Sequence, residues 1–216
     1  MKRALLVIDV QESFRRRPNW PAVSAPDIAG RAARLVAAAR AAGDLVVWVL
    51  HAEPGSGGPF DPALGHVRLM DGLDPAAGEP VLTKTSRNAF TTTELQRLLT
   101  ERGVGEVVVC GVQTEQCCET TARLAADLGY RVVFVTDATA TFPIPHRDAP
   151  PGRPLEEVLA DPATLPVDQV IARTEYALAG RFAAIASLDD LAPPPGTPDA
   201  SPGARGAGHA GTLTGS

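Results

Sequence analysis

Apolar residues recur along this chain in short unbroken runs, separated by stretches with helical spacing. Ala4 to Val10 (Ala-Leu-Leu-Val-Ile-Asp-Val), Leu45 to Leu50 and Val107 to Cys110 are nearly continuous in apolar residues, the pattern of parallel strands buried on both faces. Pro80 to Lys84, Arg131 to Val135 and Phe182 to Ala186 predict further strands. Between the runs the period changes. From Pro26 to Ala42, Ile28, Leu35, Val36 and Ala39 fall near one face, with Pro26 and Asp27 suited to a first turn and Gly43 to a stop. Leu95, Leu98 and Leu99 form the core face of a helix running through Arg102, which one of Thr91 to Thr93 would cap and Gly103 would end. Cys118 to Leu128 and Asp168 to Gly180 predict two more helices, and Leu155 to Leu159 a short one. Strands alternating with helices in this way predict an α/β fold with a mostly parallel sheet.

The pattern fails in three places. Pro54 to Pro80 is rich in Gly, Pro and Asp, and so long a stretch inside a domain reads as a functional loop. His146 to Pro166 is Pro-rich and irregular. Beyond Leu191 come Pro193-Pro194-Pro195 and then Gly, Ala, Ser and Thr with almost no large apolar residue. The expectation is one folded domain over 1–192 and a disordered tail over 193–216.

Composition narrows the class. A chain of 216 residues can bury one full core. Its net charge of -5 argues against a nucleic-acid partner, and Arg15-Arg16-Arg17, the only basic run, reads as a solvated loop. Met1-Lys2-Arg3 is followed by only five apolar residues before Asp9, so neither a signal peptide nor a membrane span of ~20 residues is predicted. Three cysteines, two of them adjacent, do not make a disulfide framework; reduced thiols in a cytoplasmic setting are expected.

Three polar residues stand at the carboxyl ends of apolar strands, where open α/β sheets bind ligands: Asp9, Lys84 and, just past its strand, Cys117. Each also has an ordinary structural reading. Asp9 could open a turn, Lys84 could be an exposed strand end, and a lone cysteine is commonly a small buried hydrophobe, which is the reading for Cys110 and Cys118. Their shared position favours chemistry, because a thiol, a carboxylate and an ammonium together can deprotonate a nucleophile and stabilise the ion pair. A start of helix at Cys118 would also lower the thiol pKa of Cys117. Phe14, Trp20, Phe60 and Phe90 are aromatic candidates for a pocket wall, in competition with core packing, and Gln11 and Glu115 are candidates for its edge.

Four fragments carry a resemblance: Leu-Leu-Val-Ile-Asp9-Val-Gln; Lys84 followed by Asn88-Ala89-Phe90; Gly111-Val112-Gln113-Thr114-Glu115-Gln116-Cys117; and Asp137-Ala138. In this order and spacing, over residues 4 to about 187, the chain resembles the isochorismatase-like cysteine hydrolases, which include nicotinamidases, carbamoylsarcosine amidases and streptothricin hydrolase. The resemblance implies a three-layer α/β/α, Rossmann-like fold. It implies Cys117 as nucleophile, Asp9 as general base and acid, and Lys84 as an orienting cation. It also implies a non-proline cis peptide at Val112–Gln113, with the N–H groups of Gln113 and Cys117 as the oxyanion hole. The activity implied is hydrolysis of a small amide, lactam or ureido C–N bond through a Cys117 thioester, with no cofactor and with a homo-oligomer, dimer or tetramer, as the assembly.

The chain departs from the nicotinamidase pattern, which carries an Asp-x-His pair and a further His for a metal. Here His51-Ala52-Glu53 and a distant His66 stand in that region, and the expectation is that no metal binds and that His51 and Glu53 line the pocket or pair with each other. Two other readings remain open: isochorismatase-type vinyl ether hydrolysis, which the presence of Cys117 disfavours, and a non-catalytic metabolite-binding protein, which the lack of a Gly-rich phosphate loop disfavours. A redox role for Cys117-Cys118 is a weaker possibility.

Overall fold

Lys2–Ile8 forms β1, and the two strands on either side of it decide where the site falls. In the computed structural model, which describes residues 1–193, β1 is followed by α1 (Glu12–Arg15), α2 (Ile28–Ala41), β2 (Leu45–His51), β3 (Val81–Lys84) and α3 (Leu95–Glu101). Then come β4 (Val104–Val112), a π turn over Thr114–Cys118, α4 (Glu119–Asp127), β5 (Arg131–Ala140), α5 (Leu155–Ala160), α6 (Val167–Leu178), β6 (Ala184–Ala186) and α7 (Leu188–Leu191). The sheet order is β3-β2-β1-β4-β5-β6 and every pairing of neighbours is parallel. The expected tail, 194–216 above all, lies outside the described residues.

The apolar strands bury both faces, and their alternation sorts the core into two layers. Leu5 and Val7 of β1 face the same side as Val46, Trp48, Val108 and Cys110, where Ile28, Leu35 and Val36 of α2 cover them. Ala4, Leu6 and Ile8 face the other side with Val47, Val49, Val107 and Val109, under Leu95 and Leu99 of α3, Ala122 and Ala125 of α4, and Leu178 of α6. The fold is therefore a three-layer α/β/α sandwich. The buried stripe of α2, Ile28, Ala32, Leu35, Val36 and Ala39, has the spacing that a 3.6-residue repeat requires, and burying each of its large side chains contributes about 1.5–3 kcal/mol.

Several elements differ from the sequence expectation for local reasons. Glu12–Arg15, for which no element is predicted, is a helix too short to leave a period. β4 extends beyond Val107 to Cys110 in both directions, because Lys2 and Arg3 of β1 pair with Val104 and Glu106 and Ile8 pairs with Gly111. β5 runs on through the polar residues after Val135: following a register shift, Thr139 and Ala140 pair with Gly111 and Val112. α4 begins at Glu119 rather than Cys118, since the π turn takes up Thr114–Cys118. The N-cap of α3 is Glu94, with no side-chain cap bond, in place of the expected threonine; Thr93, one residue earlier, accepts from the Leu95 N–H at 3.1 Å. The long loop after β2 folds back on the end of β1, where Gln11 bridges Leu69 and the Met70 N–H donates to the Val10 carbonyl at 3.1 Å.

Candidate active site

The sheet order places β1 beside β4, with β2 and β3 on one side and β5 and β6 on the other. The chain reverses its winding there, and the carboxyl ends of β1 and β4 splay their loops apart to leave a crevice. The approach of those two strands depends on one residue. Gly111 has φ 126°, and a Cβ on it would lie 1.8 Å from the Ile8 carbonyl oxygen, so only glycine fits. Beyond it the Val112–Gln113 peptide is cis, and the π turn carries Cys117 to the crevice floor.

Asp9, Lys84 and Cys117 meet there. Lys84 Nζ donates to Asp9 Oδ2 at 2.8 Å and lies 3.4 Å from Cys117 Sγ. Its other contacts are the Ser86 carbonyl at 3.2 Å and His51 Nδ1 at 3.4 Å. The Asp9 and Lys84 side chains are both 0% exposed. Asp9 is the only described non-glycine residue at positive φ, 52°, a conformation that aspartate tolerates better than most residues. Its N–H donates to the Val49 carbonyl and its carbonyl accepts from Gln11, both at 2.8 Å. Its second carboxylate oxygen, Oδ1, is buried without a hydrogen-bond partner. A buried acceptor left open in this way is costly, and it is the atom available to receive a proton.

Burial sets the charge states. It raises the Asp9 carboxyl above its ordinary 3.8, against the opposing pull of the Lys84 ammonium. It pushes the Cys117 thiol up to about 12, with the Asp9 carboxylate adding to the rise. The expectation that a helix start lowers this pKa is therefore corrected: the thiol lies in the π turn ahead of α4, is 4% exposed, and loses more from desolvation than nearby dipoles return. Burial, then Lys84, lowers His51 below 6.5. His51 Nδ1 accepts from Lys84 at 3.4 Å, and its Nε2 lies 3.2 Å from both Glu53 Oε1 and Arg87 Nη1. Cys110 and Cys118 are fully buried in the core, as packing residues would be.

Above this floor opens a cavity of about 390 Å³ lined by Asp9, Phe14, Arg17, His51, Glu53, Pro59, Phe60, Arg87, Gln113, Gln116 and Cys117. Larger cavities, about 470 and 680 Å³, open elsewhere, and neither is lined by a cysteine or a histidine. Phe14 and Phe60 stand edge to face at 4.9 Å, and Phe60 meets the His51 ring at 5.6 Å. Four expected pocket residues are elsewhere. Phe90 packs in the core below α3 and stacks on Tyr130 at 6.1 Å. Gln11 is fully buried and braces the ends of β1 and β2, accepting from the His51 N–H at 2.7 Å and donating to the His51 carbonyl at 3.0 Å. Glu115 accepts from Thr141 and from the Gln113 side chain, so it holds a wall residue without forming the wall. Trp20 lies against Phe142. Asp137 accepts from the Leu188 N–H at 2.6 Å at the start of α7 and takes no part in the site. Sequence reasoning missed Arg17, Arg87 and Gln116 as lining residues.

Among the described residues, no group of three or more His, Cys, Asp and Glu side chains is arranged to hold a metal ion. His51 and Glu53 pair with each other, and His66 offers only its backbone carbonyl to Ser13 near the site.

Comparison with known proteins gives the family and the fold. The family model for the isochorismatase domain matches residues 3–174. A streptothricin hydrolase of Streptomyces noursei is 43% identical over 153 residues, a match covering 69% of this chain and 58% of the relative. The chain thus spans less than two thirds of that relative. A ureidoacrylate amidohydrolase of Methylorubrum extorquens is 30% identical over 182 residues, with 68% of this chain and 71% of the relative covered. Among solved structures, an isochorismatase from Pseudomonas putida KT2440 superposes with a TM-score of 0.74 at 32% identity, covering 88% of this chain and 89% of that one.

Proposed function

The chain belongs to the isochorismatase family, and from that premise we propose that it is a cysteine-dependent amidohydrolase acting on a small amide, lactam or ureido compound. The observation that carries the reading is the Lys84 ammonium set between Asp9 Oδ2 and Cys117 Sγ at the floor of the cavity. Relatives named as a streptothricin hydrolase and an amidohydrolase support the reaction class. The three free thiols fit a cytoplasmic setting, which belongs to the same proposal.

With a thiol held at about 12, Cys117 rests protonated and needs a base during attack. Asp9 takes that proton on its open Oδ1 as Sγ adds to the amide carbonyl. Lys84 keeps the carboxylate oriented and offsets the charge passing between oxygen and sulfur. The backbone N–H groups of Gln113 and Cys117 would hold the tetrahedral oxyanion. Asp9 then gives its proton to the departing nitrogen, leaving a thioester and free amine or ammonia. A water that Asp9 deprotonates cleaves the thioester, releasing the acid and restoring the thiol.

The test is release of ammonia or amine from a panel of primary amides, lactams and ureides. Cys117→Ala is expected to show no turnover, and Asp9→Asn to lose about a hundredfold to ten-thousandfold, the range for a positioned proton carrier. Full activity in Cys117→Ala would sink the mechanism.

A further inference from the structure

The cavity carries more positive charge than acyl transfer uses. Arg17 ends the one basic run of the chain, yet it does not behave as its neighbours do. Arg15 pairs back onto Glu12 at 3.1 Å and Arg16 is exposed, while Arg17 turns inward, half-buried, to line the cavity. Its guanidinium lies 6.0 Å from the Phe14 ring centre and 5.4 Å from that of Phe142, and Nη1 donates to Gln113 Oε1 at 3.2 Å. Among the described residues it forms no ion pair, although Arg15 beside it does. Burial, then the nearby Arg87, lowers its pKa against the opposing pull of Glu53 and Glu115.

Arg87 lines the same cavity. Its Nη1 lies 3.2 Å from His51 Nε2, and its nearest carboxylate is Glu53 at 3.7 Å. The floor is neutral, since Asp9 and Lys84 compensate each other and the thiol and His51 are uncharged. The cavity wall above that floor thus carries two guanidinium groups and, in Glu53, one carboxylate. A planar, always-charged fork held between aromatic rings is suited to take a carboxylate in two parallel hydrogen bonds.

We propose that Arg17, assisted by Arg87, binds a carboxylate carried by the substrate, so that the substrate is a small amide or ureide with an acid group at its far end. This rests on the amidohydrolase reading of Cys117 and narrows it: uncharged and cationic amides are the disfavoured classes. A cavity of about 390 Å³ has room for such a molecule.

The experiment uses matched probes: malonamate, succinamate and glutaramate against propanamide, butanamide and pentanamide, with 5-aminopentanamide as the cationic arm. The acid member of a pair is expected to be favoured in kcat/KM by about tenfold to a hundredfold, the worth of a charged hydrogen-bond pair, with most of the difference in KM. In Arg17→Gln that ratio is expected to fall toward one, and Arg17→Lys to restore only part of it. Calorimetry of the same probes on the Cys117→Ala protein reads binding without chemistry. Arg17-dependent binding of the acids with no turnover by the unaltered protein would sustain the carboxylate site and sink acyl transfer. Turnover of neutral or cationic amides at the rate of the acids, acid preference unchanged in Arg17→Gln, or failure of every acid to bind would overturn the carboxylate site.

Discussion

Asp9 and Lys84 show how one buried pair can set both a reaction and its pH response. Burial raises the Asp9 carboxyl and disfavours the carboxylate a base needs, while Lys84 pulls the other way. The proposed mechanism requires the carboxylate, so activity is expected to rise with pH along a limb lying above the ordinary 3.8. Lys84→Met removes the opposing pull, so the limb is expected to move to higher pH and the maximal rate to fall; a kcat/KM profile against pH checks both. An unmoved limb would mean that another group carries the proton. Stability follows the same sign. The folded state holds the Asp9 proton more tightly than the unfolded state, so Asp9 favours the fold below 3.8, and that contribution is lost as pH rises through the raised folded pKa. The positions of Asp9, Lys84 and Cys117 were legible in the sequence, because each stands at or just past the end of an apolar run, where a polar side chain needs a reason to be. Arg17 was not, because nothing in a run of three arginines shows that two face water and the third turns inward.

Elements bring those residues together, and the tightest constraint lies between β1 and β4. Gly111→Ala would set a methyl group against the Ile8 carbonyl at a φ of 126° that side chains rarely adopt. It is expected to destabilise the fold by about 4 kcal/mol or more, the range reserved for named steric failures, read as a lowered denaturant midpoint. Unchanged stability would mean that the two strands can separate here. α4 is held in place by Glu119, a buried carboxylate that pairs with Arg123 at 2.9 Å and also accepts from Arg173 and Thr174 of α6. The order of strands and helices could be read from apolar runs and helical spacing, since a doubly covered sheet demands them. The π turn could not, because its dihedral pattern depends on how Thr114–Cys118 packs, not on residue type. That turn is why the expected dipole-activated thiol is in fact a desolvated one. Gln11, Phe90 and Glu115 lie near the site in sequence and were expected in its wall; their side chains instead brace strand ends, fill the core or hold Gln113.

At the scale of the molecule, the sheet order puts a crevice between β1 and β4, and the chain brings Cys117, the proposed nucleophile, from one side and Asp9, the proposed base, from the other. Lys84 arrives from the far edge, on β3, two strands away from Asp9, and its length closes the gap. No helix among the described residues is long and apolar enough to cross a membrane. The central claim is that Cys117, and neither of its buried neighbours, carries the acyl group. The most direct measurement is mass spectrometry of the protein quenched with acid during turnover of an amide substrate, followed by peptide mapping. The expected result is a mass gain equal to the acyl group on Cys117, absent in Cys117→Ala and retained in Cys118→Ala. An acyl group mapped to Cys118, or turnover with no cysteine ever modified under trapping conditions, would contradict the account.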